Sequence, residues 1–164
     1  MPVPLPMRLG PDTIRKFERA AEGRIDEAIV LRDAGKHLAA LYLVGYSVEM
    51  ALGGAYFRLL RYGPTDPITR QERQRVVAFG RLHHLMRPEP HDIPGWARLL
   101  VHYRDSLGPT YPTTAFAILV VNKAEEVYNY WRPEMRYRNT EVTSREVNAA
   151  LAVAQWFQRQ YRIL

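Results

Sequence analysis

The stretch His37–Leu60, HLAALYLVGYSVEMALGGAYFRLL, limits what this chain can fold into more than any other. It has no proline, one carboxylate and apolar residues on every side, the pattern of a helix enclosed by the rest of a fold. Projected at about 100° per residue, Leu41, Val48, Leu52, Ala55 and Leu59 form a core face. Ala40, Ser47, Ala51 and Gly54 form a second, small enough for another helix to come close. On the third, Tyr42, Tyr46, Glu49, Gly53 and Tyr56 make a polar stripe in which three phenols surround the carboxylate. Such a carboxylate is costly unless paired or hydrogen-bonded. Glu49 therefore serves either the fold, as a latch, or a function.

The rest of the chain narrows the setting of that helix. Its 164 residues suit one domain with a core of its own. The lack of cysteine removes disulfide frameworks and thiolate zinc sites, and fits a reducing, cytoplasmic location. The start, MPVPLPMRLG, lacks the basic and long apolar segments of a signal peptide and reads as an extended leader. No charge-free apolar run reaches the roughly 18 residues of a membrane span, because Glu49 interrupts the best candidate. The net charge of +6 comes almost wholly from arginine, whose fork matches phosphate and carboxylate.

Taken in order, the chain reads as helices. Asp12 caps a first helix with an inward line of Ile14, Phe17, Ala21, Ile25, Ala28 and Leu31, and Gly35 ends it, so that it folds back on the central helix. The capping box Thr69–Glu72 opens a short basic helix to about Phe79, which Gly80 stops. An irregular connection follows over 81–94, with one turn around His84. A helix spans Gly95–Leu107, and Thr113 or Thr114 caps the next, with Phe116, Leu119, Val120, Ala124, Val127 and Trp131 inward. After the arginine-rich loop WRPEMRYRNTEV, a second capping box, Thr143–Glu146, opens a last helix burying Val147, Ala150, Leu151, Ala154, Phe157 and Tyr161. The expected fold is all-α, a compact up-and-down bundle of five or six helices, with 1–11 as leader and 12–164 as a single helical domain.

The order of these pieces resembles a known family. The run Ala40-Leu41-Tyr42-Leu43-Val44-Gly45-Tyr46-Ser47-Val48-Glu49 in the second helix, the later Arg136-Tyr137 and the capped final helix are similar to the HEPN proteins (higher eukaryote and prokaryote nucleotide-binding). The resemblance covers roughly 12–162. It implies a helical bundle, a homodimer and a bacterial or archaeal setting. Many such proteins are ribonucleases or toxins whose composite site uses an arginine and a histidine separated by four to six residues. Here Arg138-Asn139 stands where that motif begins, yet Thr143 occupies the nearest histidine position and no histidine follows. Cleavage through that motif would lack the imidazole that moves the 2′-hydroxyl proton. Arg32 to His37 has the spacing but crosses the first interhelical turn. The resemblance therefore implies the non-catalytic branch, whose members pair with nucleotidyltransferases in toxin–antitoxin-like or defence modules. A divergent metal-independent ribonuclease using Arg138 and Asn139 is the alternative, and a structural helical scaffold the third.

The remaining chemistry concentrates in two places. Arg132, Arg136, Tyr137, Arg138 and Arg145 are candidates to hold RNA or nucleotide phosphate by charge and stacking. Their bland alternative is Arg136 paired with Glu49 or Glu134 and the others facing water. Glu49 fits an acid, base or metal ligand less well than a structural acceptor for a tyrosine or for Arg136 or Arg138. His83, His84 and His91 lack metal-ligand spacing, so no metal is expected, and no glycine-rich phosphate loop or nucleophile elbow predicts a cofactor or hydrolase.

Overall fold

The computed structural model describes residues 11–89, 91–108, 114–137 and 141–164. Within them the chain forms six α-helices, α1 Ile14–Asp33, α2 His37–Leu59, α3 Arg70–Leu82, α4 Ile93–Ser106, α5 Thr114–Tyr130 and α6 Ser144–Gln160, with a 3-10 turn over Pro133–Tyr137. The fold is thus the expected all-α bundle. The proposed leader falls almost entirely outside the described residues.

Helix α2 is the axis, and α1, α4 and α6 all pack on it. Ala40, Leu41, Val44, Val48, Leu52 and Phe57 are buried together with residues from four other helices in one apolar core. By length and composition α2 could also cross a membrane, but 61% of its apolar window is buried inside the bundle. Its small-residue face does what its side chains permit. A Cβ at Gly54 would come within 2.5 Å of the Tyr161 hydroxyl and 3.3 Å of Phe17 Cβ, so α1 and the turn after α6 close on α2 there. Burial pushes the Tyr161 phenol up to about 12. At Gly45 a Cβ would stand 2.3 Å from the ring atoms of Trp131, a fully buried side chain whose indole N–H donates to Tyr42 O at 3.0 Å.

The local signals place most boundaries. Gly35, at φ 71°, turns α1 into α2 with Lys36 N–H bonded to Leu31 O at 2.8 Å, a Schellman closure. Both capping boxes form, at Thr69–Glu72 and Thr143–Glu146. Three expectations require correction. The cap of α1 is Thr13, not Asp12, because Asp12 pairs its backbone with Ile68 and its carboxylate with Arg73. Gly80 does not stop α3: the helix continues to Leu82, and Gly80 is buried where a Cβ would stand 2.6 Å from Met86 Cγ. The turn comes at His84, φ 57°. Helix α4 begins at Ile93, before Gly95, because Asp92 caps it and Pro94 sits in its first turn, where a missing N–H costs nothing.

Helix α3 stands apart. Gly80 is its only fully buried residue, and along its length it meets the core only through half-buried Val76 and Val77 and the Phe79 ring, 6.4 Å from His102 of α4. Its ends hold it: Ile68 N–H bonds Asp12 O at 2.7 Å at one, and Leu85 N–H bonds Gly80 O at 2.8 Å at the other. Arg61, His84 and His91, the non-glycine residues with positive φ among those described, all lie in the detour that carries α3 away from the bundle and back.

Candidate functional site

The polar stripe of α2 divides when folded. Tyr56 is buried among Trp96, Tyr103 and Phe57, with ring centroids 5.7–6.1 Å apart, and burial raises its phenol pKa. Tyr42, Tyr46 and Glu49 form a different group. The Tyr42 and Tyr46 hydroxyls lie 3.1 Å apart, and the Tyr46 ring meets Trp131 and His91 edge-on, each at 5.3 Å. Glu49 Oε2 accepts a hydrogen bond of 2.8 Å from His91 Nδ1. Among the described residues the partner of the carboxylate is therefore an imidazole from the connection before α4, not a tyrosine; the loop arginines weighed for it, the Arg136 side chain and Arg138, lie outside those residues.

His91 is held from behind by a charged cluster. It sits at φ 61°, beside Asp92, which is 1% exposed. The Asp92 carboxylate accepts from the backbone N–H groups of Arg87 (2.6 Å) and Gly95 (3.0 Å) and from Arg98 (3.4 Å). Arg98 in turn reaches Glu125 at 3.0 Å, and Arg87 reaches it at 3.5 Å. Every lone pair of a buried carboxylate left unmatched is costly, and here the matching fixes the connection that presents His91.

The Glu49–His91 pair closes one side of a cleft of about 950 Å³ between α3 and the bundle. Arg70, Gln74, Val77 and Arg81 of α3 line it at helical spacings of four, three and four, facing Met86 and Trp96 across the opening. Arg73 bonds Asp12 at 3.0 Å, whereas Arg70 has no carboxylate partner among the described residues. The Arg81 guanidinium donates to Pro88 O at 2.7 Å.

Comparison of the chain with protein-family models, with curated proteins and with solved structures returned no match.

The arginine-rich loop lies elsewhere. The Arg132 guanidinium stacks 3.8 Å over the Tyr128 ring and donates to Trp131 O at 2.7 Å. Tyr137 is 77% exposed, and Arg145 is exposed on the first turn of α6. Neither Arg132 nor Arg145 makes an ion pair among the described residues. The Arg136 side chain, Arg138 and Asn139 lie outside those residues. The three histidines weighed as metal ligands separate: His83 stacks on His102 with centroids 6.2 Å apart, His84 forms the turn after α3, and His91 bonds Glu49. Among the described residues no three His, Asp or Glu side chains converge as a metal site requires.

One long-range placement was invisible in the spacing of residues. His37 Nδ1 lies 3.2 Å from Val142 O, and Arg32 donates to Asn148 at 3.3 Å. The first interhelical turn thus leans on the segment that leads into α6, bringing an imidazole to the part of the chain whose own sequence has none.

Proposed function

We propose that this chain is a HEPN-like helical module that holds RNA rather than cutting it, as a homodimer acting with a nucleotidyltransferase partner in a toxin–antitoxin-like or defence system. The observation that carries the reading is the exposed Tyr137 ring in a segment whose Arg132 and Arg145 guanidinium groups meet no carboxylate among the described residues. An aromatic face with cations close in sequence suits single-stranded nucleic acid, since every base can stack and every phosphate can be paired. A shift assay with a short single-stranded RNA at increasing salt tests it. Affinity should fall steeply with salt, Tyr137→Ala should weaken binding to all sequences alike, and Arg145→Ala should flatten the salt slope by roughly one phosphate contact. No binding at low salt, or binding indifferent to salt, would overturn it.

The ribonuclease reading is favoured by one specific contact, that of His37 with Val142. With Nδ1–H donated to a carbonyl, the neutral ring keeps Nε2 as a base. RNA degraded in the presence of chelator, and spared by His37→Ala, would replace the holding function with a cutting one.

A further inference from the structure

We propose that the cleft under α3 is a binding site for a small organic phosphate, a phosphomonoester carried on an apolar or aromatic body. Helix α3 turns Arg70, Gln74, Val77 and Arg81 toward this space and buries only Gly80 fully. A 13-residue helix gains most of its stability by covering an apolar stripe; here Val76 and Val77 are only half-buried against the core, and Val77 also lines the cleft.

The charges choose the ligand. Among the described residues Arg70 meets no carboxylate and Arg81 donates to the Pro88 carbonyl, which leaves two planar donor forks at the rim on one face of α3, three turns or about 16 Å apart. Arg73 and Arg87 stand beside them, each also tied to a carboxylate. Guanidinium forks match phosphate oxygens in pairs. Val77, Met86 and Trp96 supply an apolar floor that inorganic phosphate would not use. At the far side Glu49, bonded to His91, and Glu89 offer acceptors for a hydroxyl or amino group of the body and repel a second phosphate. This polarity selects a single phosphate on an organic body over a polyphosphate. The cleft's volume of about 950 Å³ lies within the roughly 300–1,000 Å³ of small-ligand pockets.

The site shares no residue with the RNA-holding loop, so the two readings stand or fall separately. Titration calorimetry on the full chain with 1-naphthyl phosphate, adenosine monophosphate, inorganic phosphate and 2-naphthol tests it. At least one of the two organic phosphates should bind saturably, and which is tighter identifies the body. Inorganic phosphate and naphthol should each bind at least roughly tenfold more weakly, and whichever of Arg70→Ala and Arg81→Ala removes the fork that holds the phosphate should cost about tenfold, one charge-assisted bond. Tyr137→Ala and Arg145→Ala should leave the affinity unchanged. These side chains are exposed, and a circular dichroism melt confirms that each variant folds. Failure of both organic phosphates to bind, binding no tighter than inorganic phosphate, or full affinity in the Arg70→Ala/Arg81→Ala double variant would overturn the assignment.

Discussion

His91 Nδ1 and Glu49 Oε2 meet at 2.8 Å, a bond that ties the middle of α2 to the residue preceding the cap of α4. The Glu49 side chain is 12% exposed and that of His91 36%, so solvent screens the pair only in part. Glu49→Gln keeps the shape and removes the charge, and should cost about 1 kcal/mol. For a chain of this size that is a fall in Tm of about 2–4 °C. Replacing the histidine separates two effects. His91→Ala loses the bond and keeps a left-handed backbone at φ 61°, whereas His91→Gly loses the bond and relieves roughly 1 kcal/mol of strain. The glycine variant should therefore melt higher than the alanine variant; the reverse order would mean that the backbone at 91 is unstrained.

Gly45→Ala gives a test of opposite sign to helix propensity. Alanine in a helix interior normally gains about 1 kcal/mol over glycine, but here its methyl group would collide with the Trp131 ring atoms. Trp131 is fully buried and bonded to Tyr42 O, so it has nowhere to retreat. Chemical denaturation should show a loss of about 2 kcal/mol or more, in the range of overpacked cores.

Asp92→Asn removes the charge at the centre of a buried cluster. The carboxylate is 1% exposed and accepts from Arg87, Gly95 and Arg98. Breaking a fully buried pair costs about 3–5 kcal/mol. Arg98 keeps 27% exposure, so about 2 kcal/mol is the expected loss. Urea denaturation measures it, and loss of the His91 imidazole shift in an NMR spectrum would report the displaced connection.

The capping box of α3 carries a pH dependence. Glu72 accepts from the Thr69 hydroxyl, the Tyr62 hydroxyl and the Thr69 backbone N–H, each at 2.6 Å. These bonds, the Thr69 hydroxyl foremost, hold its carboxyl at about 2 against an ordinary 4.5. A depressed carboxyl stabilises the folded form fully above the ordinary value, and the contribution is lost as pH falls through about 2. Protection of α3 amides should decline across that window. Thr69→Ala should cost about 1 kcal/mol of cap stability at neutral pH and blunt the decline.

The sequence carried the local part of this structure well. Periodicity located all six helices, and the boxes at Thr69 and Thr143 opened α3 and α6 where their spacing indicated. The inward line of α5 was right at Val120, Ala124, Val127 and Trp131 and wrong at Leu119, which is 39% exposed beside Ile118. Glu49 was recognisable as a residue in need of a partner, but which partner depends on where the connection before α4 returns, 42 residues away. Gly80 looked like a stop because glycine ends helices; its actual role, making room for Met86, requires knowing that the chain doubles back. The contact of His37 with Val142 spans 105 residues and no local pattern encodes it.

A helix held mainly at its ends, with only Val76 and Val77 half-buried against the core between them, gives the protein two stabilities instead of one. The bundle opens only when its shared core is exposed, while α3 can open by releasing the bridge at Ile68, the Arg73–Asp12 pair, the half-buried Val76 and Val77 and the turn at His84. Hydrogen exchange should then divide the amides into a slow class in α1, α2, α4, α5 and α6 and a faster class over Arg70–Leu82. Any molecule seated under α3 draws on the second reserve alone: it would slow exchange in one helix and leave the melting of the core nearly where it was.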